Sequence, residues 1–287
     1  MAALAERIKL YLGMIKIAHS VFALPFAFTA AILAASGMPS LYQIFWITVA
    51  MVGARSGAMG LNRIIDRKID AANPRTCSRE IPAGRINVRD AVLFTAVSLA
   101  IMVFAAYQLN TACFILSPVA IFILVAYSYT KRFTWASHIV LGIAIAGAPL
   151  GAWIAVKSTI DPQILPLVIA VIFWLAGFDI LYALQDIDFD RQQGLYSIPK
   201  RFGIRTSLLF SRIFHAVTFT LLIVTGLVFS LNYFYWLGLL IVLALLVYEH
   251  SLVRPDDLSR LNMAFFNMNG YISIAIFIFT FAAVTIR

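Results

Sequence analysis

The sequence predicts an all-α membrane protein: nine transmembrane helices in one bundle around a central cavity, with the N-terminus cytoplasmic. Three observations predict it. Of the 287 residues, 62% are hydrophobic and only 12% charged, about half the charge of a soluble domain. The apolar runs are about 18 to 22 residues long, which suits spanning helices, whereas a membrane barrel would alternate over segments of about ten residues. Finally, 19 of the 22 Lys and Arg residues fall in the N-terminus and alternate loops, which the positive-inside rule places in the cytoplasm.

The expected spans, in order, are 17–36, 41–62, 90–107, 111–129, 138–156, 163–183, 208–230, 233–249 and 264–284, all in a single domain over 1–287. The first follows Lys9 and Lys16 and ends in Ala34-Ala35-Ser36-Gly37, like a secretory leader. Its length and aromatic content favour a retained span. The second carries Arg55 deep in its apolar run, about 16 Å from Asp66 along an unbroken helix. An arginine at that depth needs a partner. The fourth ends in Tyr127, Tyr129, Lys131 and Arg132, and the sixth in Asp179 and Tyr182. Glu249 ends the eighth and reads as interfacial. Cys77 and Cys113 fall on opposite faces and have no metal-site spacing. The net charge of +9 follows the loops, which suits contact with membrane lipids and gives no reason to invoke nucleic acid.

Between the second and third spans lies the most charged stretch, Asn62 to Asp90, with seven basic and four acidic residues. Asp66 and Asp70 stand four apart at its head. On one helix face two such carboxylates repel by roughly 0.2 to 0.5 kcal/mol unless a cation lies between them. A shift of 120 residues maps this pair onto Asp186 and Asp190, again at the end of an even-numbered span. Four carboxylates in two loops, with no His or Cys near them in sequence, suit Mg²⁺. Magnesium is usually shared with phosphate oxygens, and Arg75, Arg79, Lys131 and Arg132 supply the guanidinium forks and the point charge that a diphosphate needs. Asp188 breaks the spacing and reads as facing away. Arg63, Arg67, Lys68, Arg85 and Arg89 read as interface anchors, and His138, His215 and His250 as structural.

N-x-x-x-D-x-x-x-D at Asn62, Asp66 and Asp70, N-P-R-T-x-x-R at Asn73 to Arg79, P-x-G at Pro82 to Gly84, Y-x-x-x-K-R at Tyr127 to Arg132, and D-x-x-Y-A-x-Q-D-x-x-x-D at Asp179 to Asp190 stand in order along the chain. Together they resemble the UbiA superfamily of intramembrane aromatic prenyltransferases. The closing RPDDLSRLNMAFFNMNG resembles its 4-hydroxybenzoate polyprenyltransferase branch. The resemblance implies Mg²⁺-dependent transfer of a polyprenyl group from polyprenyl diphosphate to an aromatic acid acceptor, 4-hydroxybenzoate or 1,4-dihydroxy-6-naphthoate, in quinone synthesis. It implies Asp66, Asp70, Asp186 and Asp190 as catalytic metal ligands, with Arg132 also catalytic. Asn62, Arg75, Arg79 and Lys131 would grip the diphosphate with Tyr127 assisting. By their depth in the spans, Arg55, Asp179 and Tyr182 are the candidate acceptor contacts, Arg55 meeting the acceptor carboxylate or pairing with Asp179. The expected setting is the bacterial inner membrane with the active site on the cytoplasmic side. A transporter is the reading from another class, but its binding site would lie at mid-membrane, whereas these acids gather at span ends. A transferase acting on diphosphate-activated alcohols would need D-x-x-D-G-x-x-A-R, and Asp66 is followed instead by Arg67, Lys68 and Ile69.

Overall fold

The computed structural model describes residues 2–16 and 23–286, without the side chains of 2–5, 8, 265 and 266. His19, left open between substrate contact and packing, lies outside these residues. The described residues are helical, with one isolated bridge between Arg254 and Asp257 and no strand. The helices are α1 (Ala2–Ile15), α2 (Leu24–Ala35), α3 (Leu41–Ile65), α4 (Arg67–Ala72), α5 (Val88–Leu109), α6 (Thr111–Thr130), α7 (Ser137–Lys157), α8 (Leu165–Ala183), α9 (Ile187–Gln192), α10 (Ile198–Val228), α11 (Tyr233–Ser251) and α12 (Asn269–Thr285).

Among the described residues seven helical segments are long and apolar enough to cross a membrane. The nine expected crossings are therefore matched in part, because α2 has 12 residues and α12 has 17. At 1.5 Å per residue α2 reaches about 18 Å, short of a hydrocarbon core of about 30 Å, whereas the expected span 264–284 is helical throughout once the turns before α12 are included. A wide π-helical turn, Met263–Met268, leads into α12.

The chain divides into two compact units, Met1–Ser20 with Ile44–Tyr129, and Val21–Gln43 with Thr130–Arg287. In the first, α3 lies against α5 through three glycines on one face. A Cβ on Gly53, Gly57 or Gly60 would run into Ser98 and Met102, Leu99, or Thr95. Lipid gives helices no hydrophobic reason to associate, so close backbone approach through small residues supplies the packing. Helix α1, absent from the sequence reading, folds onto the charged segment. Met14 and Ile15 are buried with Ile81, Ile86 and Ala91, and Tyr11 stacks on Phe94 at 4.9 Å.

In the second unit α8 is the central helix, packed against α7 and α10, while α2 lies on α7, and α12 on α2 and α11. Apart from Asp179 and Tyr182 toward its end it is apolar all round, as suits a helix packed among others, and Trp174 and Ile180 are fully buried. Gly142 lets α7 reach the Ile172 carbonyl, and Gly177 leaves room for the His215 ring. His215 Nε2 donates to the Trp174 carbonyl at 3.2 Å, and its Nδ1 meets His250 Nε2 at 3.0 Å. This pair holds helices together, in keeping with the structural reading of both histidines. The interfacial reading of Glu249 does not hold. It is fully buried and accepts a hydrogen bond from Asn269 Nδ2 at 3.2 Å, because α12 covers the end of α11.

Candidate active site

Each acidic motif folds in the same way within its own unit. Helix α3 stops at Ile65, Asp66 takes φ −90° and ψ 2°, and the six-residue α4 follows. Helix α8 tightens into a 3₁₀ turn at Leu184–Asp186, Asp186 takes φ −107° and ψ 8°, and the six-residue α9 follows. Both aspartates thus occupy the sparsely populated bridge region where active-site residues often sit. Asp70 and Asp190 are each the fourth residue of the short helix that follows. The 120-residue repeat is therefore a repeat of backbone as well as of sequence. The anticipated unbroken helix is interrupted at Asp66, yet Asp66 N–H still donates to the Asn62 carbonyl at 2.9 Å and Asp70 N–H to the Asp66 carbonyl at 2.8 Å. Helical spacing is thereby kept across the break.

In the first motif Asn62 Nδ2 donates to Asp66 Oδ2 at 2.9 Å, and Arg79 Nη1 donates to Asp70 Oδ1 at 2.7 Å. The intervening loop is wound tightly to allow this. Thr76 Oγ1 donates to the Asp70 carbonyl at 3.0 Å, and the Asn73 side chain accepts from the Arg75 N–H at 2.9 Å. Asp66 and Asp70 are buried, while the Arg75 side chain is exposed. Asp70 Oδ2 is buried and accepts no hydrogen bond among the described residues, with Arg63 Nη1 3.9 Å away. Arg63, read as an interface anchor, is instead only 2% exposed, and its Nε donates to the Met14 carbonyl at 3.3 Å. Composition could not separate it from Arg67 beside it, which is exposed.

Lys16 is a second residue to which the sequence reading gave no site role, counting it only with the basic N-terminus ahead of the first expected span. Partial burial, together with Arg63, Arg79 and Arg75, pushes its ammonium group down to about 8, against a weaker opposing effect of Glu80. Four cations thus share one region with the carboxylates of Asp70 and Glu80, and the excess of positive charge favours a further anion. The folded value lies below the ordinary 10.5, so the unfolded chain holds more protons between these limits and stability rises with pH across that window. Binding has the opposite sign, because an entering diphosphate favours the charged lysine. We expect diphosphate affinity, measured calorimetrically, to fall about fivefold from pH 8 to pH 9 as the free protein loses this proton. A Lys16→Met protein should bind more weakly and show no such step; an equal step in both would assign the effect elsewhere.

Arg55 sits partly buried on α3 with its Nε lacking any hydrogen-bond partner among the described residues, and its electrostatic neighbour is Tyr127 on α6.

In the second motif Asp190 Oδ2 accepts from Ser197 Oγ at 2.7 Å, and Ser197 Oγ also caps α10 by accepting from the Lys200 N–H at 3.3 Å. The Tyr196 N–H donates to the Lys131 carbonyl at 2.7 Å, which ties this loop to the residue before Arg132. Asp188 faces away as expected, its side chain 81% exposed and paired with Arg191 at 3.3 Å. Tyr182, Asp186, Lys131 and Arg132 are all half-buried.

Asp179 Oδ2 lies 2.7 Å from His138 Nδ1, and the Ile198 N–H donates to His138 Nε2 at 3.4 Å. Since Nε2 accepts, Nδ1 carries the proton and donates to the carboxylate. Sequence reasoning left His138 as structural, and no local pattern relates it to a residue 41 positions on. It joins Asp179 to the start of α10, where Ser197 holds Asp190. Replacing His138 with Ala should leave the Asp179 carboxylate without its donor, a loss of about 1.5 to 3 kcal/mol. The expected readout is an acceptor KM raised about tenfold or more, with diphosphate affinity unchanged and partial recovery in His138→Gln.

Among the described residues no three His, Cys, Asp or Glu side chains gather closely enough to enclose a metal ion. A caged metal is therefore a poor fit. Mg²⁺ is a good one, since it is usually held by one or two carboxylates and completes its shell with water and phosphate oxygens. The unbonded buried oxygen of Asp70 and the cations beside it match that requirement.

The chain matches the model of the UbiA prenyltransferase family over residues 23–271. It is 30% identical to the 4-hydroxybenzoate octaprenyltransferase of Vibrio cholerae over 247 residues, 86% of each chain. It is 32% identical to that of Xanthomonas campestris over 257 residues, 89% of this chain and 84% of the relative. In fold it resembles the apo structure of a UbiA homolog from Aeropyrum pernix K1, with a TM-score of 0.80, 29% identity, and 93% of this chain and 96% of that one covered. It also resembles in fold a UbiA homolog from Archaeoglobus fulgidus bound to GPP and Mg²⁺, with a TM-score of 0.72, 21% identity, and 96% and 99% covered.

Proposed function

This chain belongs to the UbiA prenyltransferase family, and we propose that it transfers a polyprenyl group from its diphosphate to the ring of 4-hydroxybenzoate, with Mg²⁺, in a bacterial cytoplasmic membrane. The observation that carries this reading is the acidic motif built twice, each time as an aspartate at a helix break followed by a second in a six-residue helix. The 4-hydroxybenzoate octaprenyltransferases at 30 to 32% identity support the acceptor class. The charge asymmetry of the loops supports a cytoplasmic site.

Asp66, Asp70, Asp186 and Asp190 would hold Mg²⁺, which when bound neutralises charge on the diphosphate. Asn62, Arg75, Arg79 and Lys131, now joined by Lys16 and Arg63, attract the diphosphate oxygens, with Tyr127 and Arg132 assisting. Their charge matters most as the allylic C–O bond breaks and its electron pair leaves with the diphosphate. The ring carbon ortho to the acceptor hydroxyl then bonds to the allylic carbon, and the proton on that ring carbon is lost, which restores the aromatic ring. Aromatic side chains around the prenyl group favour the cationic carbon and exclude water. Arg55 would meet the acceptor carboxylate, and Asp179 and Tyr182 are further candidate acceptor contacts.

The test is product formation by purified protein in detergent from geranyl diphosphate with 4-hydroxybenzoate or 1,4-dihydroxy-6-naphthoate, with and without Mg²⁺. Magnesium-dependent prenylated benzoate is the expected product; exclusive prenylation of the naphthoate would replace the acceptor. In Arg55→Ala we expect the acceptor KM to rise about 30-fold or more, the range of a lost charge-assisted pair. An unchanged KM would remove Arg55 from the acceptor.

A further inference from the structure

Apart from the acidic motifs, the second unit carries a cleft of about 690 Å³ lined by Arg191, Phe202, Gly203, Ile204, Arg205, Pro255 and Asp256. We propose that this cleft binds the headgroup of an anionic phospholipid.

The walls are fixed. Ile204 packs on the buried cluster of Leu181, Leu184, Leu208, Leu252, Val253 and Leu261. The opposite wall is a tight turn closed by paired backbone hydrogen bonds between Arg254 and Asp257, at 3.0 and 3.1 Å. Gly203 adopts φ 77° and ψ 173° inside α10, a backbone state that strains other residues. It offsets the first turn of α10 from the rest and opens the concavity.

The charge is basic. The segments 191–205 and 252–260 hold six Lys and Arg residues against Asp256 and Asp257. Arg205 is exposed and makes no ion pair or hydrogen bond among the described residues. Among the described residues Arg191 is engaged only by the exposed Asp188, a contact of small strength. The Arg201 guanidinium lies over the Phe202 ring at 5.5 Å, which adds a cation at the rim. Asp256 is the one carboxylate in the lining and opposes an anion.

What separates a lipid from free phosphate is the surface that continues from the cleft. Leu209 and Ile213 follow Arg205 at one and two turns along α10 and are 54% and 46% exposed. Phe202 is 36% exposed, with the Trp135 ring edge against it at 5.5 Å. Guanidinium groups above an apolar track on a spanning helix fit a phosphate ester attached to acyl chains, which basic residues at a membrane surface attract by about 1 kcal/mol each.

The experiment is thermal unfolding of the full chain in neutral detergent, titrated with dioctanoyl phosphatidylglycerol, dioctanoyl phosphatidylcholine or sodium pyrophosphate. Phosphatidylglycerol should raise the midpoint saturably and phosphatidylcholine should not. Arg205→Gln should weaken that response about fivefold, and Arg191→Gln with Arg205→Gln about 25-fold. Asp256→Asn should strengthen it, which keeps a readout even if an arginine variant is unstable. Arg205→Gln should retain prenyl transfer in detergent. An equal phosphatidylglycerol response in wild type and all three variants would overturn the proposal. So would pyrophosphate reproducing the Arg205-dependent part of the shift, which would make the cleft a site for free phosphates.

Discussion

If Asp66 and Asp186 hold Mg²⁺ as proposed, replacing either with Asn is expected to lower kcat/KM for prenyl transfer about a thousandfold or more, since the change would remove anionic ligand charge while keeping shape. The side chain of Asp66 is fixed by Asn62 at 2.9 Å, and an amide there keeps an oxygen for the same donor. The variant should therefore fold normally and fail in chemistry. Asp188→Asn provides the comparison within one loop, because its carboxylate is 81% exposed and meets only Arg191 among the described residues. It should stay within about threefold of wild type, as surface changes usually do. The measurement is the initial rate at saturating Mg²⁺ with diphosphate binding measured in parallel. Equal small losses in Asp66→Asn and Asp188→Asn would exclude the paired aspartates from the metal.

The second large effect is expected at Arg79. Its guanidinium donates to Asp70 at 2.7 Å while carrying charge toward the region Lys16, Arg63 and Arg75 share. Arg79→Ala removes both actions. Asp70 would remain buried with only Arg63, 3.9 Å from its other oxygen. Loss of one charge-assisted hydrogen bond on each side corresponds to about 100-fold in kcat/KM, with much of it in diphosphate affinity. Arg79→Lys should regain part, since a lysine supplies the charge but not the planar fork. Full activity in Arg79→Ala would leave the diphosphate to the remaining cations.

Both effects rest on residues the sequence already exposed. Asp66 and Asp70 announce themselves by charge beside apolar runs, and a second copy 120 residues on makes the pairing hard to ascribe to chance. Span existence was similarly legible, because hydrocarbon demands long apolar helices. Span length was less so. Apolar character continues through the turn at Met263–Met268, so the last span reads longer than the 17 residues of α12. Arg63 and Arg67 are equivalent in composition, and only the fold of α1, which brings the Met14 carbonyl to Arg63, makes one of them internal. His138 and Glu249 illustrate the same limit. Their partners, Asp179 and Asn269, come from other helices, and a single sequence carries periodicity within a helix but not the register between two.

The wide turn at Met263–Met268 sets that register for the last helix. A π-helical turn holds one residue more than an α-turn. Deleting one residue there would let the α-helix run straight through and rotate everything after it by about 100°. Asn269, fully buried with Glu249, would swing away, and the carboxylate would be left facing side chains chosen for a different neighbour. Chain length across these six positions is therefore fixed as firmly as the residues themselves, and related sequences should accept substitutions here far more readily than gaps.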